Sequence, residues 1–190
     1  IAVSHSEGVR AAVMRFAERF GRPVVLYIKD ANYITVEATR ALVEAGAISW
    51  IKYAVVRPDP ADDPLLRDLC GVVDPRIIVS GIGEQPAVVH LPKFGLGGFT
   101  SGCVCVAPRL SMDLLAALNT GNASEADEPI DIFHPLENLR NQHGPIPVLH
   151  DAVAQCGVAE TGPILPLLAP PTDTVRARIG PVAKTLLSAN

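Results

Sequence analysis

The stretch Pro23-Val24-Val25-Leu26-Tyr27-Ile28 is a continuous apolar run rich in β-branched residues. Such a run is typical of a strand that is buried on both faces, as the strands of parallel sheets are. It follows residues 8–20, whose apolar positions recur at helical spacing and which stop at Gly21. An amphipathic helix that leads directly into a buried strand predicts a parallel α/β fold.

The same alternation of helix and strand continues along the chain. Thr35 is a predicted N-cap for a helix over 36–45 that is closed by Gly46, and a strand over 47–53 follows. Further helices are predicted at 63–70 and 85–91, and further strands at 76–80 and 98–105. Repeated alternation with strands of this kind indicates a parallel sheet, either a barrel or a doubly wound sheet.

From Pro108 onward the pattern becomes entirely helical. Helices are predicted over 111–118, 129–140, 145–155 and 173–187. The chain is therefore divided into residues 1–107, the C-terminal part of a barrel, and residues 108–190, the remaining barrel helix and a C-terminal helical region. A closed (β/α)8 barrel normally needs about 250 residues. We therefore expect that N-terminal strands are missing before Ile1-Ala2-Val3-Ser4 or, as the alternative, that another chain supplies them.

The composition excludes several classes of function. The chain has 190 residues, a net charge of −4 and a pI near 5.7. Proteins that neutralise nucleic-acid phosphates usually carry clustered Lys and Arg, so no nucleic-acid partner is expected. No run reaches the roughly 18 to 20 apolar residues that span a bilayer, and no signal-peptide pattern is present. We therefore expect a cytoplasmic protein whose partner is a small molecule.

Cysteine and histidine usage argues against a metal centre. The four cysteines, Cys70, Cys103, Cys105 and Cys156, include no C-x-x-C pair, and the five histidines form no H-x-x-x-H motif. An unpaired cysteine behaves as a small hydrophobic residue, so reduced and buried thiols are expected. No metal is predicted.

Lys52 is the residue with the strongest chemical reason to be functional. In parallel barrels the working residues lie at the C-terminal ends of strands, and Lys52 lies there within the apolar segment 50–56. Desolvation disfavours an ammonium and makes a free amine available to attack a carbonyl. The alternative is a strand-end lysine whose charge reaches solvent. Lys29, which lies beside Asp30 in a predicted turn, is interpreted as a solvated lysine.

Tyr27 and Arg57 are further candidates near the same strand ends. A phenol beside an imine can accept and return a proton, although tyrosine is also a common core residue of strands. Arg57 lies in the loop after Lys52, where a guanidinium can hold a carboxylate through two parallel hydrogen bonds. A solvated arginine paired with Asp59 is the equally weighted alternative.

The glycine-rich turn at residues 80–84 follows the third predicted strand. Ser80 and Gly81 begin this turn, where a backbone without a side chain can approach a carboxylate or a phosphate closely. The turn lacks the lysine of a phosphate-binding loop, which disfavours nucleotide binding. Thr100, on the fourth predicted strand, is the remaining candidate.

These segments, taken in order, resemble the dihydrodipicolinate synthase and N-acetylneuraminate lyase family. Residues 22–27 resemble the family's L-P-V/I-I-L-Y strand, and Ile51-Lys52 resembles its G-I-K strand. Val79-Ser80-Gly81 is similar to the L-S-G-D-D segment, and residues 96–101 are similar to the G-G-x-G-x-I-S strand. Residues 144–148 and 162–167 are similar to the late N-P-I-P-V-K and R-x-P-L-x-P segments.

The resemblance implies the C-terminal half of a TIM (β/α)8 barrel, followed by a C-terminal helical bundle, and a lysine-dependent lyase. Lys52 would form an imine with pyruvate or a related 2-keto acid, before aldol addition, cleavage or dehydration. A protonated imine withdraws electrons from the neighbouring carbon, so neither a metal nor an organic cofactor is required. The helices after Pro108 imply a homo-oligomer, a tetramer by analogy.

The same resemblance implies roles for the other candidates. Tyr27 would relay the proton, while Ser80, Gly81 and Thr100 would surround the imine and its carboxylate. Two departures bear on the substrate: Asn32 stands where dihydrodipicolinate synthases have a carboxylate-binding arginine, and Ile82-Gly83 replaces two aspartates of the family. The choice of substrate therefore stays open at this stage.

Two other functions compete with a lyase. The first is a non-catalytic barrel homologue that binds a keto acid, a sugar acid or a partner subunit without turnover. The second is a doubly wound protein that binds phosphate through Gly81-Ile82-Gly83.

Overall fold

The computed structural model describes residues 5–121 and 123–190. Ile1 to Ser4, before which N-terminal strands are expected, lie outside these residues. The chain divides into two compact units. The first comprises the described residues up to Ile82 together with Val89–Thr100, and the second comprises Gly83–Val88 and Ser101–Asn190. The boundary predicted between residues 107 and 108 lies within the second unit.

The first unit contains a sheet of four parallel strands in the order β1-β2-β3-β4, with helices along the connecting segments. Its elements are α1 (Ser6–Phe20), β1 (Val24–Ile28), α2 (Val36–Glu44), β2 (Ile48–Tyr53), α3 (Pro64–Cys70), β3 (Ile78–Ser80) and β4 (Gly98–Phe99). A further helix, α4 (Glu84–Phe94), connects β3 to β4 in the chain. The predicted α/β fold with a parallel sheet is confirmed.

Local signals explain where these elements begin and end. The Thr35 hydroxyl accepts a hydrogen bond from the Ala38 N–H, as an N-cap should. Gly21 ends α1 in the left-handed conformation that favours glycine. Apolar side chains at the centres of the strands are buried, with Leu26 exposed by 2% and Ile51 by 0%.

One face of β1 is more exposed than predicted. Leu26 and Ile28 are buried, whereas Val25 and Tyr27 between them are 42% and 46% exposed. Successive side chains of a strand point to opposite faces, so the exposed pair shares one side of the sheet. The expectation that β1 is buried on both faces is wrong for the part of the chain that the structure describes.

The fourth strand is shorter than predicted. It ends at Phe99, and Cys103–Cys105 form a turn of 3-10 helix instead of continuing the strand to residue 105. The Ser101 hydroxyl accepts a hydrogen bond from the Cys103 N–H, and this local bond replaces the strand ladder. Cys103 is buried as predicted, whereas Cys105 is exposed.

The second unit is built from packed helices. They are α5 (Pro108–Thr120), α6 (Ala123–His143), α7 (Pro145–Gln155) and α8 (Asp173–Ser188), and each packs against at least one of the others. Phe133 on α6, Val148 on α7 and Ile179 on α8 are fully buried in this unit. No helix among residues 5–121 and 123–190 is long and apolar enough to cross a membrane.

A buried pair of carboxylates lies in the second unit. Glu137 accepts hydrogen bonds from the backbone N–H groups of Glu84 and Gln85, and thereby caps the start of α4. The Glu84 carboxylate accepts from the hydroxyls of Ser101 and Ser111. Both carboxylates are fully buried. Burial, and then the charge of Glu84, raise the pKa of Glu137 against the opposing effect of Arg140.

The raised pKa of Glu137 predicts a pH-dependent stability. Between about pH 5 and about pH 8 the folded state keeps a proton that the unfolded glutamate has lost, so the free energy of unfolding should fall as pH rises. Glu137→Gln removes this titration. We expect the wild-type stability to fall by roughly 1 to 3 kcal/mol relative to Glu137→Gln across that interval. Urea unfolding at several pH values measures the free energy of unfolding of both proteins. A difference between them that stays constant with pH would contradict the prediction. Glu160→Gln, at an exposed site, should show no such trend.

The adjacent glycines 97 and 98 provide a matched test of packing in the first unit. A Cβ on Gly97 would lie 2.0 Å from the Arg76 carbonyl oxygen, whereas a Cβ on Gly98 would meet nothing within 4 Å. Gly97→Ala is therefore expected to lower the free energy of unfolding by about 1 to 3 kcal/mol or more. Gly98→Ala should be neutral or stabilise by about 0.4 to 1 kcal/mol through the unfolded chain. Equal effects in denaturant titrations would refute this account.

Candidate active site

Lys52 and Tyr27 lie next to each other on neighbouring strands. The register of β1 and β2 pairs Tyr27 with Lys52, and paired residues of parallel strands face the same side of the sheet. The Lys52 Nζ atom lies 5.0 Å from the centroid of the Tyr27 ring. Lys52 is half-buried and Tyr27 is partly exposed. An amine and a phenol ring are thus placed together on one accessible face.

Gly81 forms a wall against the stem of Lys52. Its N–H donates to the Tyr53 carbonyl oxygen over 2.6 Å. A Cβ at this position would lie 2.9 Å from Lys52 Cγ, 2.9 Å from the Tyr53 carbonyl oxygen and 3.0 Å from the Ala54 Cβ. A side chain at residue 81 would therefore displace Lys52, and this close approach is the physical reason for a glycine here.

The Ser80 hydroxyl lies on the opposite side of the sheet from Lys52. Ser80 pairs with Tyr53, one residue after Lys52, and its side chain is fully buried. Its Oγ lies 2.9 Å from Nδ1 of His90 on α4. The Ser80 carbonyl oxygen accepts a hydrogen bond from the Thr100 N–H over 2.8 Å. A ligand on the Lys52 face would therefore meet the backbone of Ser80 and not its hydroxyl.

Arg57 is held by Asp63. Its Nη2 atom lies 3.2 Å from Asp63 Oδ1, so the partner is Asp63 and not Asp59, as the solvated alternative proposed. Asp63 is fully buried, accepts from the Tyr53 hydroxyl over 2.7 Å and caps α3 through the Leu66 N–H. The Arg57 Nε atom is buried and has no hydrogen-bond partner among the described residues. Burial, followed by the hydrogen bond to Asp63, raises the pKa of Tyr53.

Three polar residues of this region escaped the sequence analysis. Tyr53 and His90 occur in apolar segments where nothing marks a polar contact, and both are buried. Asp63 had a detectable signal, since an aspartate before a proline at a helix start is a typical N-cap. Its contacts with Tyr53 and Arg57 depend on the fold and leave no local pattern.

The start of α4 does not offer free groups to a phosphate. Helix N-termini bind phosphate through backbone N–H groups, but those of Glu84 and Gln85 already donate to the Glu137 carboxylate. A Cβ on Gly83 would meet Glu137 Oε1 at 2.0 Å, so the carboxylate fills the space above the turn. The geometry therefore counts against a phosphate site on Gly81-Ile82-Gly83.

The chain shares its fold with dihydrodipicolinate synthases. The structure of dihydrodipicolinate synthase from Bacillus clausii matches with a TM-score of 0.77 at 21% identity, over 93% of this chain and 59% of that chain. The 4-hydroxy-tetrahydrodipicolinate synthase of Methylacidiphilum fumariolicum SolV matches with a TM-score of 0.81 at 20% identity, over 97% and 60%. The dihydrodipicolinate synthase of Thermotoga maritima gives 0.79 at 18%, over 95% and 61%.

These matches confirm the predicted resemblance at the level of the fold. The chain spans about 60% of the length of these solved structures. No family model matches the sequence, and no curated protein matches it.

The hydrogen bond between Tyr53 and Asp63 makes a testable contribution to stability. Tyr53→Phe leaves the buried Asp63 with one partner fewer, and a group deprived of a partner in the interior costs about 1 to 3 kcal/mol. We expect a loss of this size in the free energy of unfolding, measured by urea denaturation. Tyr27→Phe, which changes an exposed ring, is the matched control and should alter stability by less than about 0.5 kcal/mol. Equal losses in the two variants would refute this interpretation.

Proposed function

We propose that this chain forms part of a lysine-dependent lyase that acts on pyruvate or a related 2-keto acid. The observation that carries the proposal is the pairing of Lys52 and Tyr27 on adjacent parallel strands, with the ammonium 5.0 Å from the ring centroid. The shared fold with dihydrodipicolinate synthases supports it. By likeness to these structures, the strands would belong to a (β/α)8 barrel, and the helices after Pro108 to a C-terminal helical bundle.

Lys52 supplies the nucleophile of the covalent step. Its ammonium first gives a proton to a base, the neutral amine attacks the keto carbon, and a C–N bond forms as the carbonyl π bond breaks and a proton passes from nitrogen to oxygen. The base then returns its proton to the hydroxyl of this carbinolamine, which leaves as water and gives a protonated imine. The positive imine nitrogen draws electrons from the neighbouring carbon and favours loss of a proton there. The resulting enamine adds to an aldehyde, or the sequence runs in reverse. Metals and organic cofactors have no part in this proposal.

Tyr27 is the group that would move the proton. Its ring lies beside Nζ of Lys52, so its hydroxyl is our candidate for accepting a proton from the lysine and returning it to the departing hydroxyl of the carbinolamine. Such a positioned acid and base typically contributes about 10² to 10⁴ in rate.

The remaining predicted site residues differ in which of their polar groups they can present to a substrate. Gly81 and Thr100 lie at the ends of β3 and β4, where their backbone can border a carboxylate on the Lys52 face. Ser80 can take part only through its backbone. Arg57 has one guanidinium nitrogen on Asp63, so a substrate carboxylate would have to use the others.

The proposal also covers the partners, the oligomeric state and the location of the enzyme. Its partner would be a small 2-keto acid, and neither a nucleic acid nor a membrane is part of it. By analogy we propose a homo-oligomer, a tetramer, and a cytoplasmic location. The net charge of −4 is compatible with a partner that is not a nucleic acid.

A second candidate is a barrel homologue that binds a keto acid, a sugar acid or a partner subunit without turnover. It is favoured by the turn at the position of the missing arginine, where Asp30 Oδ1 accepts from the Asn32 N–H and no guanidinium is present. A protein that lacks a group to bind the carboxylate of a second substrate would still hold the keto acid, but it would not bind the substrate that reacts with it.

Borohydride trapping tests the proposal directly. Incubation with pyruvate and reduction should convert the imine on Lys52 into a stable secondary amine, detected by peptide mass analysis. Lys52→Met should abolish the adduct, because its side chain has no amine. Lys29→Met is the matched control and should leave the label on Lys52 unchanged, since Lys29 is an exposed lysine at the end of the neighbouring strand. An adduct on Lys29 or a label distributed over many lysines would contradict the assignment. Unlabelled Lys52 with several 2-keto acids would favour the binding protein.

A further inference from the structure

A buried hydrogen bond joins the end of β3 to helix α4. The Ser80 Oγ atom lies 2.9 Å from Nδ1 of His90, and the two side chains are 0% and 1% exposed. The His90 ring packs edge-on against Tyr53 and Phe94, with centroids 6.4 Å and 6.0 Å away. The imidazole is therefore enclosed by the aromatic rings of Tyr53 and Phe94 and lies within hydrogen-bond distance of Ser80.

The contacts of His90 set the direction of this hydrogen bond. The Pro60 backbone, whose one polar group is its carbonyl oxygen, lies near the imidazole and attracts the N–H of the ring. Burial lowers the pKa of His90, which favours the neutral ring with one N–H group. In the neutral tautomer whose N–H faces Pro60, the nitrogen that faces Ser80 is unprotonated and the Ser80 hydroxyl donates to it. This bond selects one orientation of the Ser80 side chain.

The residue that His90 holds is central to the proposed site. The Ser80 carbonyl oxygen receives the Thr100 N–H, and the next residue, Gly81, donates its N–H to the Tyr53 carbonyl oxygen. Gly81 also packs so closely against the aliphatic part of the Lys52 side chain that a Cβ at residue 81 would clash with it. A change in the orientation of Ser80 would therefore move the wall that keeps the Lys52 side chain in place.

We infer that His90 is a positioning residue that orients Lys52 through the Ser80 hydroxyl and the Gly81 backbone. The inference rests on the proposed function for its kinetic consequence, but its structural consequence can be measured separately. His90 lies on the far side of the sheet from Lys52 and does not touch the reacting atoms.

Two substitutions separate the contacts of the imidazole. His90→Asn keeps an oxygen or nitrogen near the position of Nδ1, where Ser80 donates, and loses the donor to Pro60. His90→Gln extends to the position of the distal nitrogen, keeps the donor to Pro60, and loses the acceptor for Ser80. Both replace a ring by a shorter amide, so the loss of packing against Tyr53 and Phe94 is similar in the two variants.

The kinetic expectation follows from the orientation of the nucleophile. A displacement of about 1 Å in a reacting group can cost up to about 100-fold in rate. In the full chain, His90→Gln should slow imine formation at saturating pyruvate by about 10-fold to 100-fold, as measured by borohydride trapping on Lys52. The half-saturating concentration should change by less than about threefold, because no contact with the substrate is removed. His90→Asn should stay within about threefold of the wild type in both quantities.

Amide hydrogen exchange provides the readout that does not need activity. The Gly81 N–H should exchange at least about tenfold faster in His90→Gln than in the wild type, with His90→Asn close to the wild type. The Ile51 N–H, within β2, reports general destabilisation and should respond equally in both variants. Faster exchange at Gly81 and Ile51 together, or equal kinetics in the two variants, would overturn the inference.

The two proposals fail in different ways. If the wild type forms no adduct with any 2-keto acid while Gly81 responds as expected, the lyase proposal fails and the role of His90 in ordering Gly81 stands. If neither His90 variant folds, Ser80→Ala replaces them: it removes only the hydroxyl and should give the same acceleration at Gly81. Wild-type exchange at Gly81 in Ser80→Ala would overturn the inference.

Discussion

The register between β1 and β2 is the constraint on which the proposed site depends. Paired residues of parallel strands share a face, so one pairing places Tyr27 beside Lys52 and simultaneously turns Tyr53 to the other side. A slip of one residue would bury the ammonium among the apolar groups beneath the sheet and expose the phenol of Tyr53. The register is fixed by the apolar face, because Leu26 and Ile51 are buried only in this alignment. The hydrophobic core thus determines the distance between the amine and the phenol.

The buried side of the sheet is not purely apolar, and its polar contacts lie directly behind the site. Tyr53 reaches Asp63, and Ser80 reaches His90, each with full burial of the serine, tyrosine and aspartate side chains. Burying such groups is costly unless each is satisfied, and a satisfied set favours one arrangement over its alternatives. These contacts join strand ends to the segments that follow them. They therefore restrict the loops near Lys52 more tightly than aliphatic packing would, because a hydrogen bond specifies direction as well as distance.

The sequence predicted what depends on local pattern. Apolar runs located the strands, Thr35 and Gly21 marked helix ends, and the helix at 145–155 was predicted with its observed bounds. The placement of Lys52 at a strand end came from the same runs. The two predictions that failed have different causes. The strand predicted to residue 105 ended early for a local reason, since the Ser101 hydroxyl accepts from the Cys103 N–H and forms a turn. The exposed face of β1 depends on which segments pack on it, and this has no signature in the neighbouring residues.

The fold and the catalytic chemistry of this chain place different demands on its sequence. Identities near 20% to dihydrodipicolinate synthases are sufficient for a shared backbone, because a parallel sheet requires only apolar strands and suitable turns. Catalysis requires particular side-chain atoms, and this chain has only some of those that the resemblance implies. It keeps a lysine and a tyrosine in register and a glycine against the lysine stem, yet commits Arg57 to Asp63 and closes the turn at Asn32 on Asp30. In the lyase proposed above, Lys52 and Tyr27 would form the adduct, whereas Asn32 stands where the resemblance implies an arginine for a second carboxylate. For that proposal, this combination favours a keto acid as the first ligand and an uncharged or differently bound acceptor as the second.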